Sequence, residues 1–181
     1  EVPFDFERRR VSVLIEREGR RTLVVKGAPE DVLGRCERYE FAGPADIRSF
    51  DDAAKARARD RFLRLSEQGF RVLGIAWREE PSTQDRVAVD DERDFVFAGF
   101  AAFLDPPKES APAAIAALER SGVAIKILTG DSDRVSLHVC AALEIPIEGM
   151  LTGPEVAAMS DEALGARLAS TNLFCRVTPA Q

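Results

Sequence analysis

The chain is poor in the residues that hold metals and staple small domains: one histidine and three cysteines among 181 residues. Cys36, Cys140 and Cys175 are widely separated, odd in number and not arranged as Cys-x-x-Cys pairs. That pattern excludes a disulfide framework and a zinc site, and it reads as reduced, partly buried thiols. His138 has no second imidazole to share a metal and reads as a structural residue inside a helix. A membrane-length apolar run is also missing. The longest, Phe95–Leu104, falls short of the roughly 20 residues that a spanning helix needs. No signal-peptide pattern is present, so the visible chain reads as soluble. Nor is there an excess of basic charge: 25 Lys and Arg stand against 31 Asp and Glu, a formal net charge of -6. Electrostatics therefore give no general pull toward nucleic acid or anionic membrane.

What is present is unevenly distributed. Residues 1–104 hold 19 Lys/Arg and 21 Asp/Glu, whereas residues 105–181 hold 6 and 10. This shift predicts two domains, 1–104 and 105–181, meeting at Asp105-Pro106-Pro107. In the first, Val11–Glu16 and Arg21–Lys26 read as a hairpin and 28–37 as a helix. Residues 47–68 carry Phe50, Ala54, Ala58, Phe62 and Leu65 at helical spacing, ending at Gly69. Phe70–Arg78 reads as a strand, 79–94 as an acidic loop, and Phe95–Leu104 as a buried strand. The second region alternates: helix 108–121, strand 123–129, helix 133–143, short helices 154–159 and 161–169, strand 172–177. The fold class expected is an α+β antiparallel-sheet domain followed by part of an α/β Rossmann-like unit with a parallel sheet.

Three places carry chemistry. Lys26-Gly27-Ala28-Pro29-Glu30 closes the apolar run Thr22–Val25 and opens a helix, with Pro29 in the first turn and Glu30 and Asp31 at the positive end of the helix dipole. A lysine at that sheet rim, beside a glycine that admits close approach, suits a phosphate; a solvated lysine is the plainer alternative. Thr129-Gly130-Asp131 follows an apolar strand and precedes a helix capped by Ser132 or Asp133, the place where α/β sheets gather anions. A simple turn would look the same. The segment Phe4-Asp5-Phe6-Glu7-Arg8-Arg9-Arg10 offers an aromatic for a flat base and arginines for phosphate, or else inward-packed rings and a solvated charged edge. Arg78, at the end of the strand Val72–Trp77, adds a further guanidinium.

Taken in order, these segments resemble the cytoplasmic catalytic region of P-type ATPases, and the likeness covers essentially the whole chain. Phe4 takes the position of the ring that stacks on adenine, Arg9 that of a basic phosphate contact, and Lys26 that of the lysine deep in the ATP pocket. Arg78 is matched to an arginine contacting the phosphates. Asp105, Pro106 and Pro107, with Lys108, match the D-P-P-R/K hinge. Thr129 and Asp131 belong to the T-G-D segment of a phosphorylation domain similar to haloacid-dehalogenase hydrolases. P-F-D-F-E-R-R-R-V-S-V and F-L-D-P-P-K-E-S-A look closest to the bacterial magnesium-transporting branch. Ser132 departs from the Asn usual after T-G-D.

The resemblance implies ATP and Mg2+ as cofactors, with Phe4, Arg9, Lys26, Gly27 and Arg78 holding the nucleotide. Thr129 and Asp131 would support the phosphoryl site, and no residue is expected to be a direct metal ligand. Neither D-K-T-G-T, which carries the phosphorylated aspartate, nor G-D-G-x-N-D occurs among the residues. The chain is accordingly expected to be an inactive internal piece of a pump. Its partners would be ATP and the pump's actuator and transmembrane domains, and its place the cytoplasmic face of the cell membrane. Two other classes stand beside this one. A stand-alone haloacid-dehalogenase-like phosphatase would need a D-x-D-x-T/V nucleophile loop after a strand, for which Asp51-Asp52, lying before a helix, does not qualify, and a noncatalytic interaction module would bind no nucleotide.

Overall fold

A computed structural model describes residues 1–104 and 106–181; Asp105, and with it part of the expected hinge, lies outside the described residues. The chain forms two compact units. One comprises residues 1–65 and 72–103, the other residues 66–71 and 104–181.

The first unit is built on a seven-stranded sheet in the order β1-β2-β3-β6-β7-β4-β5. β2 (Arg10–Arg17) and β3 (Arg20–Gly27) form the expected hairpin. Its loop is tighter than the sequence suggests: Glu18 and Gly19 alone turn the chain, both at positive φ (54° and 75°). Two such residues in succession give the turn whose twist matches that of the flanking strands. β6 (Arg71–Glu80) pairs antiparallel with β3, and β7 (Phe95–Phe103) follows the predicted run closely. Three strands escaped the pattern: the edge strands β1 (Val2–Asp5) and β5 (Ile47–Ser49), and β4 (Cys36–Glu40) between β7 and β5.

The helix expected over 28–37 is only α1, Pro29–Leu33. Its chain turns away because the Arg35 carbonyl accepts the Phe95 amide at 3.1 Å, which starts β4 alongside β7. That pair is parallel, so the sheet is mixed rather than purely antiparallel. Likewise the helix expected over 47–68 splits into β5 and α2 (Asp52–Glu67). Asp51 starts α2 by accepting the Ala54 amide at 2.8 Å, satisfying one of its unpaired donors. The core gathers Leu23, Val25, Val32, Leu33, Cys36, Phe50, Ala54, Ala76, Phe95 and Phe97 on one face of the sheet. Gly74 lets α1 settle there: a Cβ at that position would stand 3.0 Å from the Val32 Cβ.

The second unit carries a three-stranded parallel sheet, β8 (Ile127–Leu128), β10 (Leu173–Cys175) and β9 (Met150–Thr152), in that order. Its helices are α3 (Ala111–Arg120), α4 (Asp133–Ala142), α5 (Gly153–Ala157) and α6 (Asp161–Leu168). The strand expected over 123–129 shrinks to two residues because the chain before it finishes α3. Gly122 adopts φ 73° and the Val123 amide returns to the Leu118 carbonyl at 3.0 Å. Lys126 is drawn away as well; its ammonium donates to the carbonyls of Leu168 and Thr171, where a cation suits the carbonyl-rich end of α6. The small core is Cys140, Ile145, Leu173 and Cys175. All three cysteines are free and fully buried rather than partly so. Burial pushes the Cys36 thiol up to about 12, which leaves it inert.

Candidate functional site

The register of the first unit decides which side chains can share a site. Residues paired across antiparallel strands leave the sheet on the same face. Lys26 lies between Val11 and Ile75, and the next row in from it is Val13, Val24 and Trp77. This is the face opposite the core. Lys26 is exposed, and among the described residues its side chain has neither an ion-pair nor a hydrogen-bond partner. Half-buried Val11 and Ile75 flank it, giving a cation beside an apolar strip.

Arg78 is paired with Leu23 and so leaves on the core face instead. It is fully occupied there. Its guanidinium bonds the Glu80 carboxylate and the Arg93 carbonyl, the latter at 2.7 Å, and lies 5.8 Å from the Phe95 ring centre. The structure therefore does not bring Arg78 to the face of Lys26. Strand parity, which places residues 75 and 78 on opposite faces, is the physical reason.

Gly27 is where the Phe4 segment meets the lysine loop. A Cβ on Gly27 would stand 2.5 Å from both the Arg9 carbonyl oxygen and the Arg10 Cβ, so only glycine fits. The Ala28 amide donates to that same Arg9 carbonyl at 2.9 Å. Arg9 itself sits at φ 48°, and its amide closes the turn onto the Asp5 carbonyl at 2.7 Å. Its side chain reaches Asp31 at the start of α1, at 2.8 Å. Half-exposed, that ion pair contributes little energy but ties the turn to the helix. Phe4 and Phe6 are 54% and 62% exposed, which removes the inward-packed alternative for both rings. They meet edge to face, with ring centres 5.3 Å apart.

Two of the three consecutive arginines, Arg8 and Arg10, are absorbed by a residue the sequence reading passed over. Glu92, fully buried, accepts hydrogen bonds from Ser12 Oγ at 2.7 Å, from Arg10 Nε at 2.7 Å and from Arg8 at 2.9 Å. Burial alone would raise its carboxyl; the bonds from Ser12, Arg8 and Arg10 outweigh that and hold it below the ordinary 4.5. Its backbone carbonyl also accepts from Arg35 at 3.0 Å. The only sequence signal was one acid among several in the 79–94 loop, 80 to 84 positions from the partners of its carboxylate.

In the second unit, Thr129-Gly130-Asp131 sits at the carboxyl end of β8. Backbone bonds pin it to the segment after β10: Thr129 N to Phe174 O at 2.9 Å, Val177 N to Thr129 O at 3.1 Å and Arg176 N to Asp131 O at 2.9 Å. The Thr129 hydroxyl accepts the Asp131 amide at 3.1 Å, which leaves its own proton to donate. Ser132 accepts the Val135 amide at 3.4 Å as the N-cap of α4, a role Asn also fills well, so its departure from the family pattern keeps the turn intact. Arg71 was missed by the sequence reading; its Nε lies 3.1 Å from an Asp131 carboxylate oxygen. Its signal was a basic residue opening a strand directly after a glycine-terminated helix. Pro106 and Pro107 lie outside any helix or strand. His138, expected to be structural, is exposed on α4, and its ring lies where a Cβ on Gly69 would intrude, 2.3 Å from the nearest ring atom.

Among the described residues no helix is long and apolar enough to cross a membrane. The family model for the P-type ATPase cytoplasmic domain N matches residues 1–110. Similar curated relatives include "Magnesium-transporting ATPase, P-type 1" of Salmonella typhimurium strain LT2, 39% identical over 180 residues. The protein of that name from Escherichia coli strain K12 is 37% identical over 180 residues. "Calcium-transporting ATPase 1" of Lactococcus lactis is 28% identical over 181 residues. Each alignment covers 99% of this chain but only 20% of the relative, so the chain spans about a fifth of their length. The chain belongs to the P-type cation ATPase family.

Proposed function

We propose that the first unit holds ATP for a P-type cation pump, with adenine against Phe4 and the phosphates at Lys26 and Arg9. The observation that carries this reading is the seat of the Arg9–Arg10 backbone on Gly27, which fixes the aromatic segment to the lysine loop. Lys26 supports it, being an unengaged cation among the described residues while Arg8, Arg9, Arg10 and Arg78 all have partners. Phosphoryl transfer is mainly positioning and charge stabilisation. Lys26 and Arg9 would orient the γ-phosphate toward an aspartate that is not among these 181 residues, and the Thr129 hydroxyl would donate to the transferred group. Asp131 orders the turn through Arg71 and Arg176 rather than moving a proton.

Mg2+ neutralises phosphate charge when it accompanies ATP. Among the described residues no three His, Cys, Asp or Glu side chains gather to hold it. Asp105, Pro106 and Pro107 would serve as the hinge between nucleotide and phosphorylation domains, and the parent pump would carry magnesium, as the names of two relatives say of those proteins. Without the nucleophile the 181-residue chain forms no phosphoenzyme.

Calorimetric titration of ATP tests the site. Phe4→Ala weakens binding by about 1–3 kcal/mol, the value of a base–aromatic stack. Lys26→Met removes a charge-assisted hydrogen bond of about 1.5–3 kcal/mol. Both side chains are exposed, so the urea midpoint stays where it was. Unchanged affinity in both variants would overturn the reading and favour an interaction module.

A further inference from the structure

Phe4 has no paired residue of its own in the sheet. β1 meets β2 at Val2 opposite Ser12 and at Asp5 opposite Arg10, with the register shifting between them. An exposed ring on an edge strand with an irregular ladder needs another support to present one face reproducibly. The structure offers one. Arg8 turns its guanidinium back on the strand, donating from one nitrogen to the Pro3 carbonyl, the oxygen of the peptide that joins Pro3 to Phe4. Its other terminal nitrogen bridges both Glu92 oxygens, at 3.0 and 2.9 Å. Glu92 is in turn held by Ser12 and Arg10 of β2. One residue after Phe4, the Asp5 carboxylate accepts the amides of Glu7 and Arg8, both at 2.9 Å.

We infer that Glu92 and Arg8 form a positioning relay for Phe4. Buried Glu92 fixes the Arg8 fork, and the fork fixes the peptide plane from which the Phe4 ring is hung. Arg8 touches no nucleotide in this account and acts through Phe4, so the inference rests on the adenine-stacking reading above. The planar fork matters more than the charge, because lysine cannot span Glu92 and the Pro3 carbonyl in the same fixed geometry.

A double-mutant cycle on the full 181-residue chain tests it, with ATP affinity read by calorimetry. Arg8→Ala lowers affinity roughly 3- to 10-fold when Phe4 is present and leaves it unchanged in the Phe4→Ala background, the non-additivity expected of residues acting as one unit. Arg8→Lys, which keeps the charge and covers the case in which Arg8→Ala does not fold, loses as much as the alanine variant. In NMR spectra of the free chain, Arg8→Lys also changes the Phe4 ring signals. An equal loss in both backgrounds, no loss at all, or full rescue by lysine would each overturn the relay. Unchanged affinity in Phe4→Ala alone would instead remove the stacking reading, and the relay with it.

Discussion

The two units meet the same demand, holding charged groups in fixed places, by opposite means. The first embeds its charges: Arg8, Arg10, Ser12 and Glu92 form a buried network on the core face of a seven-stranded sheet. The second has a three-stranded sheet, and neither α3 nor α6 contributes a buried residue. Its Thr-Gly-Asp turn is instead pinned by backbone bonds to residues 174–177. Parallel sheets normally have both faces covered, yet Leu128 of β8 is 69% exposed. The contrast teaches where rigidity comes from: in the first unit from side-chain networks and packing, in the second from a few main-chain anchors.

The largest effect comes from breaking the buried network. Glu92→Ala strands Arg10 in the interior and costs about 3–5 kcal/mol, the usual consequence of removing one member of a buried pair. Urea unfolding followed by the fluorescence of Trp77, the sole tryptophan and a member of β6, reads this in the first unit. The pH dependence has a definite sign. Because the folded carboxyl lies below 4.5, its stabilising effect is complete above pH 4.5 and fades as pH falls through the lowered value. Glu92→Gln flattens the acid limb of the stability curve; an unaltered limb would show that other carboxylates govern it.

Gly27→Ala comes next. It forces a Cβ against the Arg9 carbonyl and costs about 1–3 kcal/mol, as overpacked sites do. ATP binding falls with it, since the same contact fixes the Phe4 segment to the lysine loop. In the second unit Ser132→Ala removes a helix cap worth about 1 kcal/mol, whereas Ser132→Asn is neutral. Hydrogen exchange in the first turn of α4 distinguishes them: faster protection loss in the alanine variant and none in the asparagine one. Arg78→Ala is the smallest perturbation of the site. ATP affinity stays unchanged, because that guanidinium sits on the face away from Lys26; weakened binding would restore it as a phosphate contact.

Much of this was legible in the residues. Long periodic or apolar segments announced themselves, as β7 and α4 did, and so did the order of the Phe4, Lys26 and Thr129 segments. Local pattern failed where tertiary pairing decides. β4 is a polar stretch, Cys-Glu-Arg-Tyr-Glu, that becomes a strand because β7 offers its edge, and β8 is short because Gly122 and Lys126 serve helix ends. Arg78 and Lys26 look equivalent as basic residues near strand ends until cross-strand register sets them on opposite faces. Glu92 looked like any other acid of its loop, since a buried carboxylate is defined by partners far away in sequence.

The central claim is that the Phe4 segment and the Lys26 loop form one ATP-binding corner. Titrating ATP into the 15N-labelled 181-residue chain addresses it most directly. The account predicts saturable amide shifts at Phe4, Asp5, Lys26, Gly27 and Ala28, with those around Arg78 following only weakly. No response at millimolar ATP, or shifts gathered around Arg78 and Glu80 with Lys26 silent, would contradict it.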